Sequence, residues 1–201
     1  MPYDAAQDPY LDPKTKVLKN KIGARTQAAL DKAEAEITYV IIATLTSGSK
    51  PESLQFDTRL LLEVHREIFR DIYSWAGKIR TYDISKETSY FAHAAHIESE
   101  LGKLDEEFRH EDESKFVDRS HFVNRITHYY SEINAIHPFR EGNGRVLRTF
   151  LRLYALKFGY DIEWVKMDSE ENIEACKYAL GADDSKLAEM LDKLIVRINN
   201  E

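Results

Sequence analysis

The twelve residues His137-Pro138-Phe139-Arg140-Glu141-Gly142-Asn143-Gly144-Arg145-Val146-Leu147-Arg148 put a base, an acid, two glycines and several guanidinium groups into one short run. Histidine titrates closest to neutrality, so His137 is the candidate general base. Pro138 restricts the residue before it, which predicts an extended His137 at a loop mouth, its ring presented to solvent or substrate. Gly142-Asn143-Gly144 stands just ahead of a helical pattern. The first N–H groups of a helix lack intrahelical acceptors and its dipole is positive there, so this terminus is expected to attract phosphate. The glycines permit positive φ and close backbone approach, and Asn143 brings an amide to bind a phosphate oxygen or to hold the loop. Arg145 and Arg148, three residues apart, are expected on one helix face as forks for further phosphate oxygens, with Arg152 continuing that face. Glu141 would repel phosphates unless a cation lay between them. Mg²⁺, which takes one carboxylate plus phosphate oxygens and water, is the expected bridge. The chemistry predicted is phosphoryl or nucleotidyl transfer.

Taken singly, each feature has a plainer reading. A histidine before proline is commonly a loop or capping residue, Gly-x-Gly before a helix is an ordinary turn, and arginines at helical spacing mark a solvated face. Their coincidence within twelve residues favours the functional reading.

The elements that must position this loop are mostly helical. From Thr26 the residues Ala29, Leu30, Ala33, Ile37, Val40 and Ile41 recur at three and four, predicting a first helix to about Leu45. SGSKP at 47–51 breaks it. Asp57 then caps a second helix with the stripe Leu61, Val64, Ile68 and Ile72, expected to end at Trp75-Ala76-Gly77. Residues 78–92 hold Ile79, Tyr82, Ile84, Tyr90 and Phe91 among Thr and Ser without helical spacing, which predicts a small β-hairpin flap. Helical spacing returns with Ile97, Leu101, Leu104 and Phe108, and with Phe116, Phe122, Ile126, Tyr129, Tyr130 and Ile133. Three more helices are expected at about 144–158, 170–180 and 184–199. Asp168 or Ser169 and Asp183 or Asp184 would start the last two, and Gly159 and Gly181 would terminate the two before. Trp75, Ile126, Tyr130 and Ile133 read as core. Residues 1–22, with three prolines and little periodicity, read as an arm lying over the body. The expectation is one all-α domain spanning 1–201 with one small β element.

Composition narrows the function. The 201 residues are 43% hydrophobic, ordinary for a globular domain. Against 35 Asp+Glu stand 28 Lys+Arg, a net charge of −7, which removes the pervasive positive field of a general nucleic-acid coater. Cys176 is the only cysteine, so neither an internal disulfide nor a multi-cysteine zinc site can form, and a reducing compartment is the natural reading. No basic start precedes an apolar run and no apolar stretch is long enough to span a bilayer, so a cytoplasmic location with no membrane partner is expected.

The run HPFREGNGRVLR resembles the signature of the Fic family, His-Pro-Phe-x-[Asp/Glu]-Gly-Asn-Gly-Arg-x-x-Arg, and fits it at every specified position. DPYLDPKTKVLKNKIG near the start, DIYSWAGKIR at 71–80 and FAHAAHIESE at 91–100 also look like segments of bacterial Fic domains. The resemblance implies an all-helical Fic bundle with a hairpin flap and transfer of AMP from ATP to a Tyr, Ser or Thr hydroxyl of a target protein. Carried over, His137 deprotonates the hydroxyl and Glu141 ligates Mg²⁺. Asn143 with the Gly142 and Gly144 backbone holds the α- and β-phosphates, Arg145 and Arg148 grip the β- and γ-phosphates, and Phe139 anchors the loop. The flap, with Ser89, Tyr90 and Phe91, is expected to dock the target as an added strand; the plainer reading is a hairpin packed on the core.

Many Fic proteins carry an inhibitory [Ser/Thr]-x-x-x-Glu-[Gly/Asn] helix whose glutamate pairs with the second signature arginine. The nearest run here, Ser185-Lys186-Leu187-Ala188-Glu189-Met190, departs at its last position. The resemblance therefore implies a toxin restrained by a separate small antitoxin whose glutamate would meet Arg148, with topoisomerase subunits such as those of DNA gyrase as a target class. Two other readings stand beside it. One is protein phosphorylation, as in the Doc branch, which departs from Gly-Asn-Gly-Arg. The other is a non-catalytic nucleotide- or partner-binding module, against which the presence of His137 argues.

Overall fold

The computed structural model describes residues 8–48, 50–86 and 89–198, so the first seven residues of the arm and the hairpin tip at 87–88 lie outside it. The described residues form helices α1 (Gln27–Gly48), α2 (Thr58–Phe69), α3 (Ile97–His110), α4 (Arg119–Ile136), α5 (Asn143–Lys157), α6 (Ser169–Leu180) and α7 (Ser185–Leu194). Two small antiparallel pairs complete it. Strands β1 (Ser85–Lys86) and β2 (Ser89–Tyr90) pair Ser85 with Tyr90, and β3 (Tyr160–Ile162) and β4 (Ile195–Arg197) pair Tyr160 with Arg197. None of these helices is long and apolar enough to cross a membrane.

Helix α4 is the axis. It buries Phe122, Val123, Ile126, Tyr129, Tyr130, Ile133 and Ile136 on several faces, as a helix surrounded by others must. Helices α3, α5, α6 and α7 pack round it. Asp118 starts it by accepting from Ser120 N–H, and Asp57 and Asp168 start α2 and α6 in the same way. Aromatic rings pack α4 against its neighbours: Phe122 stacks on Tyr160 of β3 at 4.3 Å and Phe108 of α3 on Tyr129 at 4.2 Å. Trp75, Ile126, Tyr130 and Ile133 are all buried, as the periodicity predicts.

Three expectations need correction. Helix α2 stops at Phe69, not at Trp75-Ala76-Gly77, because Ile72 and Tyr73 turn back to the Phe69 carbonyl and the Ile72 carbonyl accepts from Lys21 of the arm. The following segment folds against α2 so closely that a Cβ at Gly77, whose φ is +78°, would lie 2.8 Å from Arg66 Cβ. The last helix ends at Leu194, not near 199, because the β-branched Ile195-Val196 finds a strand partner in Tyr160–Ile162. Phe116 sits in a short 3₁₀ turn (Glu113–Val117) ahead of α4 and not in the helix itself.

From Asp8 on, the described part of the arm is folded against the body. Leu11 bridges to Leu18, Lys16 takes a left-handed turn, Val17 and Leu18 are buried, and Tyr10 meets Trp75 edge-on at 5.4 Å.

Candidate active site

The run 137–148 leaves the end of α4 and enters the start of α5, the two most thoroughly buried helices. His137 caps α4: its N–H donates to the Ile133 carbonyl, and its backbone is left-handed with φ 48° and ψ 61°. The proline therefore does not hold His137 extended. The helix-closing bond, an Arg80 Nε–H donated to the His137 carbonyl at 2.8 Å and the Arg80 N–H donated to the Pro138 carbonyl at 2.9 Å override that preference. A non-glycine residue in this region costs about 1–3 kcal/mol and persists only where its surroundings over-determine it.

The imidazole orientation follows from one contact. His137 Nδ1 lies 3.2 Å from the Asn134 carbonyl, an atom that only accepts, so Nδ1 carries the proton and Nε2 the lone pair in the neutral ring. Phe91, immediately after β2, lies flat on that ring, centroids 3.7 Å apart at 17°.

Phe139 points the other way. It is 1% exposed and stacks at 3.9 Å on His65 of α2, itself fully buried. Gly77 N–H donates to His65 Nδ1, and His65 Nε2–H donates to the Glu141 carbonyl. Burial pushes the His65 pKa down to about 4, so the ring stays neutral and serves as a pillar under the loop. Both ends of the Asn143 amide meet Phe139, Oδ1 accepting from its N–H at 2.9 Å and Nδ2 donating to its carbonyl at 2.7 Å. Of its two possible roles, the amide is seen holding the loop, and its second Nδ2 hydrogen is left for a ligand. Gly142 has φ +82° and sits against α2, where a Cβ would fall 2.2 Å from Phe69 Cζ.

These constraints shape a cavity of about 500 Å³, within the range that holds a nucleotide-sized molecule. His137, Glu141 to Gly144, Arg148 and Phe91 line one side. Asn172, Ile173, Cys176, Lys177 and Leu180 of α6 line the other. Tyr130 closes the floor, donating to Asn172 Oδ1 at 2.7 Å. Arg148 lies across the first turn of α5, Nη1 about 3.1 Å from where a Cβ on Gly144 would stand, and its carbonyl accepts from Trp164 Nε1. Among the described residues no carboxylate pairs with it.

Arg145 does not share that cavity. Three residues of a helical turn leave side chains about 60° apart, and Arg145 turns towards α1, where it pairs with the buried Glu34, donates to Thr38 Oγ1 at 3.3 Å and lies 4.9 Å over the Phe69 ring. Glu34 also accepts from the Tyr73 hydroxyl. Arg152 diverges too, meeting Asp161 with a two-pronged fork at 2.7 and 2.9 Å. The single arginine face of the sequence reading is thus divided: Glu34, far along the chain, draws Arg145 away, Asp161, nine residues on, draws Arg152 away, and Arg148 alone stays at the cavity. Arg140 likewise is held by Asp8 of the arm, at 2.7 and 2.8 Å.

Glu141 stands between, its side chain 41% exposed, Oε1 accepting from Gly142 N–H at 2.8 Å and lying 3.5 Å from Arg145. Among the described residues no group of three or more His, Cys, Asp or Glu side chains is placed to hold a metal alone. One half-exposed carboxylate beside an anion-attracting helix start suits Mg²⁺, which takes its other ligands from phosphates and water.

Of the flap residues, Phe91 enters the site, whereas Ser89 and Tyr90 contribute strand backbone and their side chains lie outside the described residues. Sequence reasoning missed His65, Arg80, Glu34 and the α6 wall. His65 had a signal, since it falls within the apolar stripe of α2 beside Val64.

Residues 55–155 match the Fic/DOC family model. The chain is 38% identical over 173 residues to the protein adenylyltransferase VbhT of Bartonella schoenbuchensis, covering 86% of this chain and 36% of that longer protein. It is 32% identical to the probable protein adenylyltransferase Fic of Escherichia coli, covering 96% of this chain and 94% of that one. Among solved structures, the BepC protein of Bartonella tribocorum with bound AMPPNP superposes with a TM-score of 0.88 at 20% identity, covering 94% of this chain and 97% of that one. An N-terminal Fic domain from Bartonella quintana with bound ADP gives 0.86 at 22% identity, covering 94% and 95%.

Proposed function

This chain belongs to the Fic/DOC family, and from that membership and the geometry above we propose that it is a protein adenylyltransferase moving AMP from ATP to a side-chain hydroxyl of a target protein. The observation that carries the mechanism is the Nδ1–H bond from His137 to the Asn134 carbonyl, which leaves Nε2 as the basic atom at the cavity. In the step, His137 Nε2 takes the hydroxyl proton, the hydroxyl oxygen bonds to the α-phosphorus, and the α–β bridging bond breaks to release pyrophosphate. The start of α5 at Gly142 to Gly144 receives the phosphates, with the remaining Asn143 N–H, and Arg148 meets their far end. Glu141 would hold Mg²⁺, which supplies neutralisation of the charge that builds on the phosphates. Arg145, occupied by Glu34, acts from behind the loop by balancing Glu141. The α6 wall takes the adenine, with Ile173 and Leu180 offering apolar contact.

The target approaches beneath the flap as a strand added to the hairpin and offers its Tyr, Ser or Thr hydroxyl beside Phe91. The absence of a carboxylate on Arg148 among the described residues, and the exposed position of Glu189 on α7, favour a brake supplied in trans by a small antitoxin. The whole would form a toxin–antitoxin pair acting in the cytoplasm, with topoisomerase subunits such as those of DNA gyrase as the target class. The test is incubation of wild type and His137→Ala with α- or γ-labelled ATP, Mg²⁺ and lysate. Label from the α position, absent with His137→Ala, is the expected result. Label from the γ position would replace the proposal with phosphoryl transfer, and no His137-dependent label would replace it with a binding module.

A further inference from the structure

The largest fully buried side chain carries a full charge: Arg80, 1% exposed. A buried guanidinium is tolerated only when its N–H groups find acceptors and its charge an opposing field. The acceptors come from two places that matter to the site, and the opposing field comes from the end of α4 together with the Asp83 carboxylate, 3.9 Å from Nη1. Nε–H donates to the His137 carbonyl at 2.8 Å and Nη2–H reaches the Ile136 carbonyl at 3.4 Å, the last carbonyls of α4, where the helix dipole is negative. Nη1–H donates to the Tyr82 carbonyl at 2.9 Å and Nη2–H to the Ala92 carbonyl at 2.5 Å, on the two limbs that enter and leave the hairpin. Ala92 follows Phe91, and its own N–H donates to the Ala135 carbonyl at 3.0 Å. One planar fork therefore fixes the distance between the end of α4 and both limbs of the flap.

We propose that Arg80 is a positioning residue that sets the left-handed backbone of His137 and, through the same guanidinium, the flap limb that lays Phe91 on the His137 ring. Base and flap then hold one geometry, and neither can shift without breaking a bond to Arg80. The proposal rests on the reading of His137 as the base. Arg80 does not line the 500 Å³ cavity, so its effect on nucleotide binding is separable from its effect on transfer. A lysine keeps the charge but is a single point donor that cannot span these carbonyls.

The test compares the full chain with Arg80→Lys by calorimetry with ADP, by NMR of the His137 ring and by the rate of AMP transfer at saturating ATP. The expected result is unchanged ADP affinity, His137 ring protons that lose the ring-current shift of Phe91, and kcat lower by about 100-fold with KM for ATP unchanged, the scale of a roughly 1 Å misplacement. An unshifted His137 ring overturns the proposal, and so does loss of ADP binding in step with transfer, which would mark a merely structural role. Should Arg80→Lys fail to fold, the wild-type chain decides: the Arg80 Nε–H resonance should move as His137 is titrated, and a flat trace overturns the coupling. If wild type transfers no AMP, the proposed activity fails while the NMR measurements still decide the role of Arg80.

Discussion

Phe91 and His137 lie face to face, ring centroids 3.7 Å apart and 17° from parallel, so the flap touches the proposed base directly. An aromatic stack contributes about 0.5–1.5 kcal/mol beyond area burial, corresponding to roughly 2- to 10-fold in rate if it is needed in the reacting geometry. Phe91→Leu should therefore lower transfer by about that factor and leave the fold intact, read by single-turnover kinetics beside thermal unfolding. An unchanged rate would make the stack incidental.

His65 gives the fold a pH signature. Its folded pKa of about 4 lies below the ordinary 6.5, so the unfolded chain binds the proton more readily. Stability from this group is fully present above pH 6.5 and is lost as pH falls towards 4, by about 3 kcal/mol across that window. Denaturant titrations of wild type and His65→Gln at several pH values should show the steeper acid loss in wild type. Parallel curves would remove His65 as the cause.

The two signature arginines should separate in their effects. Arg148→Ala removes charge-assisted bonds to phosphate worth about 1.5–3 kcal/mol, weakening ATP about 10- to 100-fold. Arg145→Ala leaves the Glu34 carboxylate, 9% exposed, without its cation, and should cost stability by about 1–3 kcal/mol. Calorimetry with ATP and chemical denaturation of both variants distinguish the two. Equal loss of ATP affinity would return Arg145 to the phosphates.

Phe139→Ala opens a void under the loop where the ring now meets His65. A cost of about 3–5 kcal/mol is expected, with weaker nucleotide binding because Glu141 and Asn143 share that support. Retained affinity in a destabilised chain would show that the loop holds its shape without the anchor.

Residue type and spacing made the helices and the glycine turn that opens α5 legible, since the apolar period of α4 and α5 and the glycines before α5 are local properties. What stayed hidden is set by partners far along the chain. Arg145 is turned by Glu34, 111 residues away, and the His137 backbone by Arg80, 57 residues away. The same holds for β3 and β4, which are three residues each and acquire strand geometry only by meeting. Ile72 misled for the opposite reason: it falls on the helical period of α2 and is buried, but from a turn that wraps back over the helix. The arm's grip on Arg140 through Asp8 carried no local signal either.

The contact of Gly142 with the edge of Phe69 bears on how this protein tolerates change. A methyl group there would collide with the ring at 2.2 Å, and the φ of +82° penalises any L side chain even after the collision is relieved. Shrinking Phe69 would thus rescue Gly142→Ala only halfway, and it would strip Arg145 of the aromatic surface beneath it. Random mutagenesis should find the neighbourhood of α1 and α2 permissive in many places and this one junction without a single-step escape.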